Sequence, residues 1–207
     1  MSKRYIIQMA ALISILSCPF VHAQNGLNVG WKLGGTLAWN FGNSVETAFN
    51  SDAKMIEKQF GWSLGAFAVK PWLGTDGVQV ELLVSRHATK SVDANHYQTW
   101  QLTYVSVPVL YQKNLMSREN GCRTFVFAGL VPGILIDSQY ISQIGALEQK
   151  SEIEDANLFD LGIAIGFGRI SAEGITLDLR YQLGLLNVAG GDSKNDALIL
   201  CLGFVVR

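Results

Sequence analysis

The sequence predicts an all-β protein, and more specifically a closed, antiparallel, eight-stranded transmembrane β-barrel. Apolar and polar residues alternate at period two in segment after segment, which is the pattern of strands with one apolar face. Charged residues make up only 16% of the 207 residues, below the roughly 25% usual in soluble domains. Beyond the N-terminal region, no apolar stretch is long enough to form a membrane helix.

The N-terminal region has the parts of a secretory signal peptide. Lys3 and Arg4 provide a basic start, and an apolar run follows from Ile6 to Leu16. Val21 and Ala23 then place small residues at the positions that a signal peptidase reads. The predicted organisation is therefore a signal peptide over residues 1–23, removed on export, and one barrel domain over residues 24–207.

The sequence contains three cysteines, which raise the questions of lipoprotein processing and of disulfide formation. Lipoprotein processing at Cys18 is an alternative to cleavage after Ala23, although Leu16 is bulky where small residues are preferred. The other two, Cys122 and Cys201, are too few for a disulfide framework. We therefore expect both of them to be unpaired.

Eight segments read as strands by their alternation or composition. Pro108 interrupts one of them, which predicts a bulge or bend there. The faces of the segment that begins at Arg123 are ambiguous, because apolar residues occupy both sets of alternate positions. The segments cover residues 28–41, 60–68, 77–87, 99–112, 123–136, 158–168, 175–185 and 197–206.

The connections between these segments alternate in length. Residues 42–58, 88–98, 137–157 and 187–195 are predicted as mostly long polar loops, and His96 falls in one of them. The remaining connections, residues 70–76, 113–122 and 170–174, are shorter. Long loops at one end and short turns at the other are typical of outer-membrane barrels.

Volume and aromatic placement indicate which face is inside. The apolar face consists mainly of large side chains, which would overfill the narrow interior of an eight-stranded barrel, so we expect it to face lipid. A soluble barrel with an apolar interior is the alternative. Aromatic residues near strand ends favour an interfacial girdle in a membrane. These residues are Trp39, Phe41, Phe60, Trp62, Trp100 and Tyr104.

The segment 175–185 shows the two environments most clearly. Its odd positions are all leucine, isoleucine or tyrosine, whereas Asp178 and Arg180 lie on the other face. The same alternation assigns Lys32, Glu81 and Asp160 to the lumen. We interpret these five charges as a structural network of buried pairs that blocks the bore, with an ion path as the alternative.

The residues offer little support for catalysis. Glu81, Ser85 and His87 share one face of a strand and superficially resemble a triad. However, residues two apart on a strand are separated by about 7 Å, too far for a direct hydrogen bond. We predict no catalytic, cofactor-binding or metal-binding residue. A formal net charge of −1 also predicts no nucleic-acid partner.

Several motifs resemble those of the outer-membrane β-barrel domain proteins of Gram-negative bacteria, the PorT-like or porin-family small barrels. The resemblance covers nearly the whole chain after the signal. It implies an outer-membrane location, contact with outer-membrane lipid and partners among other envelope proteins. The residues that carry it are Gly30, Lys32, Gly35, Tyr104, Pro108, Phe159, Asp160, Gly162, Gly166, Gly168, Asp178, Arg180, Tyr181, Gly184, Leu185 and Asn187.

The function predicted at this point is a non-enzymatic integral outer-membrane barrel with an envelope structural, interaction or secretion-accessory role. A narrow channel for small solutes is the main alternative. A lipid-modifying enzyme and a soluble ligand-binding barrel are further alternatives, from different classes of protein. Fold alone does not separate the membrane roles, because one fold supports many functions.

Overall fold

A computed structural model describes residues 26–41, 55–72, 75–93, 96–117, 121–144, 147–152, 157–187 and 194–206. The predicted signal peptide, with Cys18, lies outside the described residues, as do the side chains of Trp39 and Phe41. The described residues form ten strands: β1 (Asn28–Phe41), β2 (Met55–Pro71), β3 (Gly77–Asp93), β4 (His96–Ser106), β5 (Val109–Ser117), β6 (Arg123–Ile144), β7 (Leu147–Glu152), β8 (Phe159–Ile170), β9 (Ile175–Gly184) and β10 (Lys194–Val206).

The ten strands occupy eight positions in a closed antiparallel wall. β1 pairs with β2 on one side and with β10 on the other, so the sheet closes on itself. β4 and β5 follow one another along the same edge of β3, and β7 and β8 follow one another along the same edge of β6. The eight-stranded closed barrel is therefore confirmed. Closure matters because an unpaired strand edge is not tolerated in hydrocarbon.

The break between β4 and β5 lies at Pro108, where a bend was predicted. Proline has no backbone N–H and cannot donate to the ladder. Neighbouring groups adapt: the Pro108 carbonyl accepts a hydrogen bond from the Glu81 N–H at 2.9 Å, and the Val107 N–H donates to the Pro132 carbonyl at 2.9 Å. The wall thus stays hydrogen-bonded across the interruption.

Three short connections lie at one end of the barrel, between β2 and β3, β5 and β6, and β8 and β9. Gly121 and Gly174 occupy two of them with φ angles of 83° and 93°, a region that side chains disfavour. The start of β1 pairs with the end of β10 at this same end. Short turns of outer-membrane barrels face the periplasm, so we call this the periplasmic end and the opposite one the loop end.

At the loop end, several predicted loops are wrong. β3 and β4 continue as a hairpin with only residues 94–95 between them, so His96 lies in a strand opposite Asp93 and Ile144. β6 likewise extends to Ile144 and pairs with β7, through most of the predicted loop 137–157. Polar composition indicated loops here, but strands that extend beyond a membrane face water and carry polar residues as well.

Alternate residues face the lumen and the outside. Many of the outward residues are large and exposed; Phe60 is 73% and Ile165 is 61% exposed. The structure also resolves the ambiguous faces of β6: Phe125 and Phe127 are buried in the lumen, whereas Leu130 faces outward. An apolar exterior around a partly polar lumen is the arrangement of a membrane barrel.

One part of the predicted aromatic girdle is wrong. Tyr104 is buried in the lumen, where its ring lies 5.6 Å from that of His87. Phe60 and Trp62 do face outward, as expected for residues near an interface. Among the described residues, no helix has the length and apolarity needed to cross a membrane.

Candidate functional site

The most distinctive internal feature is a set of four charged side chains in the lumen, which we call the luminal charge cluster. Lys32 comes from β1, Glu81 from β3, and Asp178 and Arg180 from β9. Period-two alternation turns all four inward. Each is at most 3% exposed. The cluster thus brings together residues that are distant in sequence on different parts of the wall.

Lys32 bridges the two carboxylates of the cluster. Its Nζ donates hydrogen bonds to Glu81 Oε1 at 2.9 Å and to Asp178 Oδ2 at 3.0 Å. Both contacts are also ion pairs. The residues opposite Lys32 on the neighbouring strands are Gly65 and Gly203, which leave room for its long side chain inside a narrow barrel.

Arg180 binds Glu81 from another direction. Its Nη1 donates to Glu81 Oε2 at 2.9 Å and its Nη2 donates to Oε1 at 2.7 Å. This two-point contact matches the planar guanidinium to the planar carboxylate and is among the stronger hydrogen-bonding arrangements in proteins. The side-chain amide of Gln79 also donates to Glu81 Oε1. Glu81 is therefore the shared acceptor at the centre of the cluster.

Two phenylalanine rings lie against the two cations. The Phe67 ring centroid is 5.1 Å from Lys32 Nζ, and the Phe127 ring centroid is 5.1 Å from Arg180 Cζ. An aromatic face attracts a cation electrostatically, especially where water is scarce. The rings also exclude water from the pairs, which strengthens the charge interactions inside the cluster.

The cluster contains two cations and two anions, so its formal charge is balanced. Balance matters because an isolated charge in a low-dielectric interior is very costly, whereas a paired and hydrogen-bonded one is tolerated. Eight-stranded barrels have interiors just wide enough to be filled by side chains. The arrangement can cross-link the wall and fill the bore at this level.

Asp160, the fifth residue assigned to this set, lies elsewhere in the lumen. Its position opposite Gly133 is nearer the loop end, in the neighbourhood of Tyr104 and Asn195. Within the described part of the chain, the ion pairs of the cluster do not include it. Alternation placed Asp160 on the correct face but carried no information on its height along the barrel axis.

The triad-like set is not brought together for catalysis. Ser85 and His87 are both buried in the lumen, but no hydrogen bond joins them within the described residues. Glu81 is occupied by Lys32 and Arg180 and is not directed at His87. The His87 ring packs against Tyr104 instead. These residues therefore line the lumen without forming a nucleophile–base pair.

The sequence analysis did not identify Gln79, Phe67 and Phe127 as contacts of the luminal charge cluster. Gln79 shares the polar face of its strand with Glu81, which was a usable signal. The inward direction of Phe67 was visible as an exception to the small-residue pattern of its strand. The sequence around Phe127 did not indicate whether this side chain faces the lumen, because both faces of its strand are apolar.

The described residues contain no group of three or more histidine, cysteine or acidic side chains placed to hold a metal ion. Within the described part of the chain, neither Cys122 nor Cys201 takes part in a disulfide. Cys201 is buried in the lumen beside the cluster, where its Sγ lies 3.8 Å from Ser63 Oγ.

Comparison with known proteins supports the architecture. The family model described as outer membrane protein beta-barrel domain matches residues 22–190. A search of curated proteins gives no match.

Among solved structures, the chain is similar to Ail, the attachment invasion locus protein of Yersinia pestis, at 12% identity and a TM-score of 0.43, over 86% of this chain and 98% of Ail. It is similar to Neisserial surface protein A at 14% identity and a TM-score of 0.48, over 88% and 97% of the two chains. The N-terminal β-barrel domain of Pseudomonas aeruginosa OprF is 14% identical, with a TM-score of 0.34 and coverage of 88% and 98%.

Proposed function

The chain belongs to the outer membrane protein β-barrel domain family, and from this premise we propose that it is a non-enzymatic barrel with an envelope structural, interaction or secretion-accessory role. Its partners are then outer-membrane lipid around the wall and other envelope proteins at its ends. The proposal takes residues 1–23 as the cleaved signal that delivers the chain to the outer membrane of a Gram-negative bacterium.

The observation that carries this proposal is the luminal charge cluster. Glu81 contacts Lys32 and Arg180 at distances of 2.7–2.9 Å, and all three side chains are buried from solvent. A lumen occupied in this way supports a role for the outer wall and the ends of the barrel, because it leaves little space at that level for a substrate. The residues that could suggest catalysis, Ser85 and His87, also lack the mutual contact that activates a nucleophile.

Planar bilayer recording with the purified, refolded barrel tests the proposal against the channel alternative. We expect no reproducible long-lived conductance steps, because the side chains of the cluster fill the bore. Sustained open steps from pure protein would overturn the proposal and make a narrow solute channel the better assignment. A large-pore porin inserted under the same conditions serves as the positive control for insertion and recording.

A phospholipid and lipopolysaccharide turnover assay tests the enzyme alternative. We expect no hydrolysis or acyl transfer above the background of empty vesicles by the wild-type barrel. Activity that is lost in Ser85→Ala or His87→Ala, while the folded barrel is retained, would replace the proposal with a lipid-modifying enzyme.

Mass spectrometry of the exported chain tests the predicted cleavage of the signal peptide. The first residue of the mature chain is expected to be Gln24.

A further inference from the structure

The outer wall of the barrel is not uniformly convex, because an apolar groove runs over β1, β2 and β3 in its periplasmic half. The upper part of the groove has a volume of about 280 Å³ and is lined by the outward residues Val29, Ala66, Ala68, Val80, Leu82 and Val107, with Leu27 at its edge. A lower part of about 630 Å³ continues towards the periplasmic end along Ala68, Val80 and Val78. Both volumes lie near or within the range typical of ligand sites, roughly 300–1,000 Å³.

Two small residues on β2 produce the groove. Ala66 lies between Trp31 and Leu82, and Ala68 lies between Val29 and Val80, in consecutive outward rows of the wall. Large side chains on either side of a methyl group leave a channel along the strand. Ala66 is only 4% exposed although it faces outward, which places it at the floor of this channel.

At its periplasmic end, the apolar groove is also lined by a cationic and an amphipathic side chain. Lys70 and Trp72 line its lower part, next to Pro71 and Val78. Trp72 is 71% exposed, and both residues lie at the level where the short turns begin. Tryptophan and lysine at this level are typical of the membrane–water interface, where an amphipathic ring and a cation meet lipid headgroups.

The charges around the groove favour an anion. Glu81 contributes to the lining of its upper part, but its side chain lies in the lumen and pairs with Lys32 and Arg180. Lys70 is exposed on the outer surface, and the ion pairs observed among the described residues do not include it. An apolar slot that ends at an exposed cation complements an amphiphile with acyl chains and an anionic head.

We propose that this groove is a binding site for one anionic phospholipid of the periplasmic leaflet. An acyl chain fills the slot over Ala66 and Ala68, and the phosphate lies against the Lys70 ammonium beside Trp72. The proposal concerns a retained lipid with a defined position, in contrast to the lipids that exchange freely around any membrane barrel. It does not depend on whether the barrel is enzymatic or conducts ions.

Native mass spectrometry of the full mature barrel, released from detergent after addition of phosphatidylglycerol or phosphatidylethanolamine, tests the site. We expect one phosphatidylglycerol per barrel to be retained in preference to phosphatidylethanolamine. Lys70→Gln is expected to lower phosphatidylglycerol occupancy about fivefold and to remove the headgroup preference. Ala68→Leu is expected to lower the occupancy by both lipids, because the added side chain fills the slot.

Two matched variants serve as controls. Lys113→Gln removes an exposed outward cation at the same end on β5, and Ala128→Leu enlarges an exposed outward alanine on β6. Both are expected to retain lipid as the wild type does, and heat-dependent electrophoretic mobility confirms that each variant is folded.

Unchanged retention in Lys70→Gln and Ala68→Leu would overturn the proposal, as would equal losses in the two control variants. A dimer that cross-links through a cysteine at position 68, without bound lipid, would also overturn it and assign the groove to a second copy of the chain.

Discussion

The guanidinium of Arg180 and the carboxylate of Glu81 meet across the lumen through two hydrogen bonds, of 2.9 and 2.7 Å. The two residues are 99 positions apart in the chain and belong to β9 and β3, which are not neighbours in the wall. Their contact therefore ties together two parts of the barrel that share no backbone ladder. Removal of either partner would leave the other charge buried without its counter-charge.

Arg180→Leu is expected to lower the free energy of unfolding by about 3 kcal/mol, because Glu81 would lose its two-point partner while remaining buried. Equilibrium urea unfolding in lipid vesicles or micelles measures this change. Arg169→Leu, which removes an exposed outward arginine on β8, is the control and is expected to change stability by less than about 0.5 kcal/mol. Equal stabilities of Arg180→Leu and the wild type would contradict a structural role for the pair.

Adjacent positions on β10 are expected to differ in thiol reactivity. Leu200 faces outward and is 52% exposed, whereas the native Cys201 faces the lumen and is 1% exposed. Each position is tested in a folded barrel that carries a single thiol. In the first variant, Cys122 and Cys201 are replaced by serine and Leu200 by cysteine, and the new thiol should react with a lipid-soluble maleimide. The native Cys201 in a Cys122→Ser background should react only after unfolding. The opposite pattern would mean that the barrel has an apolar interior.

Gly168→Ala is expected to lower the free energy of unfolding by about 1–3 kcal/mol, through overpacking of the lumen. A Cβ atom at Gly168 would lie 2.5 Å from Phe125 Cζ and 3.0 Å from Asp178 Cβ, so a buried ring would have to move. At Gly133, another luminal glycine, the nearest atom to an added Cβ is 3.5 Å away. Gly133→Ala is therefore the control, and its stability should be close to that of the wild type.

The turn between β2 and β3 is held to β5 by Asp76. The Tyr111 hydroxyl donates to Asp76 Oδ2 at 2.6 Å and the Asn114 N–H donates to Oδ1 at 3.2 Å, and these hydrogen bonds, the Tyr111 one foremost, lower the pKa of the Asp76 carboxyl. A lowered pKa stabilises the fold above the ordinary pKa, and this contribution is lost as the pH falls through the lower, folded-state value.

In Tyr111→Phe, the pKa of Asp76 should rise towards its ordinary value, as measured by carboxyl chemical shifts in an NMR titration. Asp76→Asn should remove the carboxyl signal and identify the resonance. An Asp76 pKa that is the same in Tyr111→Phe and in the wild type would show that the hydroxyl does not set it.

Most of the wall could be predicted from the sequence. The segments 28–41 and 175–185 alternate so regularly that their strand character and their apolar faces follow from period two alone. The bend at Pro108 follows from the missing N–H of proline. The ends of strands were predicted less well, because residues 88–98 and 137–157 are polar both in a loop and in a strand that extends into water.

The local pattern of the sequence specifies strands with one apolar and one largely polar face, because alternation is a property of neighbouring residues that any strand geometry preserves. Three further relationships are visible only in the folded barrel: the inward direction of Phe125 and Phe127, the separation of Asp160 from the cluster, and the pairing of Arg180 with Glu81. Those relationships depend on how the tilted strands are staggered when the sheet closes, which sets the height of each residue along the axis. Stagger is fixed by hydrogen bonds between distant segments, and no local pattern encodes it.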